Sequence, residues 1–205
     1  MKKHTFLLVT LLFSASTFTT LLNAQSLISD AAETNTDPPE NNNNTIDESS
    51  FIERYNELKD AYPVSTVVSA HYAASSYTKE KFIERFNEIK ASYPKLTEEY
   101  GDYAGSEYTL VDFIKRYYEI KDTYPKLSKY YGDYAGSQKT MVEFIKRFNE
   151  IKDSAPDLAK CYGQYASSDN ELKDFSSRYY EIKESKTGLK NCYGEYAGST
   201  KKLNN

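Results

Sequence analysis

Tryptophan is absent from the 205-residue chain, and cysteine, methionine and histidine occur only twice each. His71 is the one histidine beyond the N-terminal segment. A catalytic triad or a metal centre needs His, Cys or carboxylates converging with defined geometry. One histidine with no cysteine beside it in the sequence offers none, so His71 reads as a packing or surface residue and no metal or cofactor is expected. An excess of basic charge is also missing. Lys and Arg total 26 against 30 Asp and Glu, a net charge of −4, and without Lys2 and Lys3 the balance becomes −6. A polyanion-binding surface is normally basic, so nucleic acid is a poor partner. Glycine is scarce at 8 residues, which disfavours a glycine-rich adhesive matrix. Beyond the extreme N-terminus no stretch reaches the ~18 apolar residues of a membrane span.

What is present begins with an export signal. Met1, Lys2 and Lys3 give a basic start, Phe6 to Phe13 is almost wholly apolar, and Leu22-Asn23-Ala24 before Gln25 fits a signal-peptidase site. Residues 1–24 are therefore expected to be a signal peptide. Residues 25–50 are rich in Asn, Asp, Glu, Ser and Thr and carry Pro38-Pro39 and the run Asn41 to Asn44. That composition buries too little surface to offset ordering entropy, so a disordered polar leader is expected.

From residue 51 to residue 205 the chain is periodic. Phe51, Phe82, Phe113, Phe144 and Phe175 recur every 31 residues without an insertion, which makes five units. In the third unit Leu110, Phe113, Ile114, Tyr117, Ile120 and Tyr124 follow steps of three and four, one stripe of a helix. Thr109 with Asp112, and Thr140 with Glu143, have capping-box spacing. Pro125 marks the corner, because the residue before a proline leaves the α region and proline favours the first turn of the next helix. A second helix of roughly three turns is expected to align Leu127, Tyr131, Tyr134 and Ala135. Gly136 would close it in the left-handed conformation. One such hairpin cannot bury its own stripe, so the expected fold is all-α: five tandem helical hairpins in an α-solenoid-like array, with atypical units at its two ends.

Arg54, Arg85, Arg116, Arg147 and Arg178 recur in every unit, three residues before Glu57, Glu88, Glu119, Glu150 and Glu181. That spacing reads as an ion pair along one helix. Cys161 and Cys192 are also 31 residues apart. Export and an even count favour a disulfide, whereas the ~10 Å spacing of packed helices opposes one, so both states remain open. Tyrosine is the abundant residue, with 20 copies. Tyr134 and its equivalents lie on the apolar stripe. Tyr118 and Tyr180 stand where other units have Asn56, Asn87 and Asn149, well off the stripe, and are expected to be exposed. Tyrosine and arginine are common at binding hot spots, so Tyr118, Tyr180, Arg116 and Arg147 are the candidate binding residues. The expected function is a secreted, non-enzymatic interaction module for a protein or glycan. The alternative is a structural matrix protein cross-linked through tyrosines.

Overall fold

Five times the chain forms a long helix, turns a corner, and returns in a short one. The computed structural model describes residues 49–204; the signal peptide expected at 1–24 and the leader expected at 25–50, apart from its last two residues, lie outside the described residues. The long helices are α1 (Phe51–Ala61), α3 (Lys79–Ser92), α5 (Leu110–Thr123), α7 (Met141–Ser154) and α9 (Leu172–Ser185). Their short partners are α2 (Thr66–Ala74), α4 (Tyr100–Gly105), α6 (Tyr131–Gly136), α8 (Tyr162–Ser167) and α10 (Tyr193–Gly198). Among the described residues there is no strand, and no helix is long and apolar enough to cross a membrane.

The long helices start where the sequence places them. The Thr109 and Thr140 side chains accept from the amides of Asp112 and Glu143, and Thr140 completes a capping box. The return arm differs from the expectation. Instead of one helix of three turns, Pro125–Tyr130 forms a 3-10 helix, Leu127 leaves helical geometry at φ −97° and ψ 30°, and α-helix resumes only at Tyr131. The corner of the fourth unit, Pro156–Cys161, repeats this. The glycines also work differently from the capping role expected of Gly136. None has positive φ. The first glycine of α4, α6, α8 and α10 lets the preceding short helix approach: a Cβ on Gly132 would fall within 3.0 Å of the Asp102 carboxylate, and one on Gly163 within 3.0 Å of Asp133. A methyl group at either position would force the neighbouring carboxylate to move, whereas α2 carries Ala70 at the equivalent place.

That close approach determines the architecture. Each short helix packs on the next, α2 on α4, α4 on α6, α6 on α8 and α8 on α10, and then α10 packs on α2. The expected all-α array is present, and among the described residues its last short helix packs on its first, so that the α-solenoid-like arrangement closes into a ring. Five edge-to-face ring pairs join consecutive units: Tyr72–Phe82, Tyr103–Phe113, Tyr134–Phe144, Tyr165–Phe175 and, at the closure, Tyr196–Phe51. The closing pair has centroids 5.3 Å apart, and the first pair 5.4 Å. By register, Phe51 takes the place that a residue 206 would hold. Leu203 follows the register of Leu172 and is buried, at 5 % exposure, in the cluster that holds Phe51. The Phe51 and Ile52 amides donate to the carbonyls of Lys202 and Leu203, and the Cys192 thiol contacts the Thr66 carbonyl at 3.6 Å. A ring with no free end buries the stripe of every unit, so the first and last need no polar cap.

The arginine–glutamate pair is also corrected. Each arginine turns its guanidinium to the C-terminal end of its own short helix. Arg85 donates to the carbonyls of Tyr103 and Tyr108 and to the Ser106 hydroxyl, while its carbon lies 4.2 Å from the centre of the Tyr103 ring. Arg54, Arg116, Arg147 and Arg178 make the equivalent bonds to the carbonyls of Tyr72, Tyr134, Tyr165 and Tyr196. A cation at the carbonyl end of a helix is stabilising, and here it also satisfies orphan acceptors. The glutamates accept instead from the tyrosine hydroxyls, as Glu119 does from Tyr134 at 3.0 Å.

Candidate functional site

Closing the ring brings one residue from each unit to a common axis. The position between the fixed glycine and the fixed tyrosine of each short helix is His71, Asp102, Asp133, Gln164 and Glu195 in turn. In the first unit Ala70 replaces the glycine. All five line one cavity of about 240 Å³, whose walls are completed by Ser75, Ser106, Ser137, Ser168 and Ser199 and by the small residues before them. The neighbouring positions are nearly invariant from unit to unit, so this polar variation is confined to the axis.

His71 is 10 % exposed, with Nδ1 3.4 Å from Glu195 Oε2 and 4.0 Å from Asp102 Oδ1. Gln164 donates from Nε2 to Glu195 Oε1 at 3.2 Å, and among the described residues its buried Oε1 has no donor. Burial and the carboxylates of Asp133, Glu195 and Glu99 hold Asp102 well above the ordinary value of 3.8. Burial and Glu195 do the same to Asp133. Carboxylates crowded into a low-dielectric site disfavour one another's ionisation. The serine hydroxyls that complete the wall donate to tyrosine carbonyls, Ser106 to Tyr103 and Ser137 to Tyr134, so none is aligned on His71 as a nucleophile would be.

The raised carboxyls fix the sign of a pH effect. The folded chain holds these protons more tightly than the unfolded chain, so stability rises as pH falls from neutral through the raised values, and the gain is complete below 3.8. Glu57 opposes this only at lower pH. Despite the cost of burial, the Tyr72 hydroxyl and Lys79 hold it below its usual 4.5, and the stability it contributes is lost as pH falls from 4.5 through the lowered value. Thermal melts should therefore give a higher Tm at about pH 5 than at about pH 7.5. The double variant Asp102→Asn/Asp133→Asn should flatten that difference and melt higher at the neutral end.

The candidates named from sequence lie away from the axis. Tyr118 and Tyr180 are exposed, at 43 % and 37 %. Each stands edge-on to its neighbour, Tyr117 or Tyr179, with Lys121 or Lys183 over its face. Tyr180 donates its hydroxyl to Asp157 at the preceding corner. Where the equivalent residue is Asn149, the corner is open: Tyr124, Pro125, Leu127, Ile145 and Phe148 line a groove of about 370 Å³. A like groove of about 300 Å³ lies beside Asn87, lined by Tyr62, Pro63 and Phe86. Arg116 and Arg147 are half-buried and committed to backbone carbonyls, so they position the short helices. Cys161 and Cys192 are free and buried, and burial pushes both thiols up to about 12. They remain protonated and unreactive at neutral pH.

The axial site was missed because helical periodicity places residues on a face of a unit, not on the axis of a closed ring. A signal was present in the sequence: a polar residue between Gly and Tyr in each complete Tyr-Gly-x-Tyr-Ala segment, at the same register as the one histidine. No protein family, curated protein or solved structure matches the chain.

Proposed function

We propose that this chain is an exported, non-enzymatic interaction module that engages a protein or glycan partner at the outer edge of its ring. The observation that carries the reading is the aromatic corner surface. Tyr118, Tyr124 and Tyr180 are exposed on a scaffold whose other tyrosines are mostly buried or hydrogen-bonded, and open apolar grooves lie at two of the corners. Exposed tyrosine anchored by packing offers large contact area at small entropic cost. The matrix reading is the weaker one, because cross-linking needs accessible phenols, and the five repeated tyrosines of the inner joints are at most 1 % exposed.

The test is the double variant Tyr118→Asn/Tyr180→Asn, which installs the residue that other units carry there. Labelled wild-type protein should be retained on an array of immobilised glycans and extracellular proteins, and the variant should lose that retention with its Tm nearly unchanged. Equal retention would remove this edge as the binding surface. A large fall in Tm would show that the two tyrosines are structural.

A further inference from the structure

We propose that the corner groove at Asn149 is a docking site for one tyrosine side chain of an acidic protein segment, a proposal that rests on the outer-edge reading and narrows its partner to a protein. The chain itself shows what fits such a corner. Tyr118 and Tyr180 hold the position of Asn149 in the units before and after it. Tyr180 reaches back to the preceding corner and donates its hydroxyl to Asp157, and Leu158 of that corner is buried. Tyr118 lies close to Tyr93 of the corner before it: burial and the Tyr118 phenol push Tyr93 above its ordinary 10.0. Each ring has a lysine over its face, Lys121 and Lys183 at 5.2 Å. At Asn149 the ring is missing and its surroundings remain. Tyr124 is exposed, Leu127 is half-buried, and Lys152, in the register of Lys121 and Lys183, lines the groove. Its volume of about 370 Å³ is ample for a phenol ring and falls in the range of ligand pockets, roughly 300–1,000 Å³.

Charge selects the segment that carries the tyrosine. The residue after the corner proline is Asp157 where Tyr180 donates, but Lys126 at the Asn149 corner. An ammonium has donors and no acceptor, so the incoming phenol oxygen accepts from Lys126 while Lys152 covers the ring face as its equivalents do. No carboxylate lines the groove, and among the described residues neither lysine is paired with one. In a chain of net charge −4, two uncompensated cations beside the apolar wall of Ile145 and Phe148 complement acidic residues on either side of an aromatic anchor. The Asn87 corner does not offer the same site. Val64 stands there in the register of Lys126, and the Tyr62 hydroxyl already donates to Asn87 at 3.2 Å.

The probe is a fluorescently labelled peptide, Glu-Asp-Tyr-Asp-Glu, titrated with the full chain at low salt and followed by anisotropy. The expected result is saturable one-to-one binding that weakens as salt is added. Replacing its tyrosine by alanine, or its four acids by lysines, should each weaken binding at least about tenfold. In the protein, Asn149→Tyr fills the groove with the residue that two other units carry, so it should abolish binding while Tm is held or raised. Lys126→Glu/Lys152→Glu should weaken binding at least about tenfold with the helical circular dichroism retained. Absence of binding, equal affinity for the alanine or the lysine peptide, or unchanged affinity in either protein variant would each overturn the proposal. Retention on the array of glycans and proteins without any binding of the peptide would overturn it and leave the outer-edge reading standing. Peptide binding blocked by Asn149→Tyr, with array retention indifferent to Tyr118→Asn/Tyr180→Asn, would support the groove and remove those two tyrosines from the edge.

Discussion

Tyr134→Ala should lower the stability of the ring by about 3–5 kcal/mol, the range for truncating a large buried aromatic. Tyr134 is 1 % exposed, meets Phe144 edge to face at 5.4 Å, and carries the Arg116 guanidinium over its ring at 4.3 Å. One truncation thus opens a cavity, breaks an inter-unit joint and leaves a cation without its aromatic face. Tyr134→Phe keeps all three and loses only the hydroxyl bond to Glu119, so it should cost about 1 kcal/mol. Chemical denaturation of the two variants beside wild type checks the pair. Similar losses in both would mean that the hydroxyl, not the packing, holds the joint.

Arg85→Ala should come next in size. Its guanidinium is buried and donates to the carbonyls of Tyr103 and Tyr108. Removing it takes a charge-assisted donor from the Tyr103 carbonyl, which keeps its bonds from the Ser106 amide and hydroxyl, and takes away the donor to the Tyr108 carbonyl just beyond a six-residue helix that has almost no intrinsic stability. Two charge-assisted bonds of roughly 1.5 kcal/mol each put the loss at about 3 kcal/mol. Arg85→Lys should recover only part of it, since a single ammonium cannot reproduce the fork. Denaturant midpoints for the three proteins measure this, and full recovery by lysine would show that charge near the helix end is enough.

The two substitutions mark where the sequence was legible and where it was not. The 31-residue period, the helix starts at Thr109 and Thr140, the proline corners and the burial of Tyr134 are local consequences of spacing and capping, and local chemistry is written in local sequence. The arginine was misread because i,i+3 spacing to Glu119 places two charges side by side on one helix. The carbonyls that compete for the guanidinium belong to a helix that begins 15 residues later. Gly136 was misread for the same reason: a Cβ there would meet the Asp102 carbonyl of the neighbouring unit at 3.1 Å, and nothing within its own unit records that. Closure itself depends on a rotation of one fifth of a turn at every unit, which no single unit displays. Without closure His71 is one histidine on a degenerate helix; with closure it stands 3.4 Å from Glu195, 124 residues away in sequence.

Register then accounts for the atypical ends. Leu203 stands where a sixth long helix would begin, and Phe51 fills that helix's phenylalanine position. The axial basin and the inter-unit joints both depend on that handover, so closure is the claim on which the rest stands. Amide hydrogen exchange at Phe51 and Ile52 tests it most directly. These amides open a helix and have no partner within it; in the ring they donate to Lys202 and Leu203 at 2.8 and 3.3 Å. Protection at both positions, lost together when Lys202 and the residues after it are deleted, is the result the ring predicts. Exchange at the rate of an unstructured chain in the intact protein would contradict it.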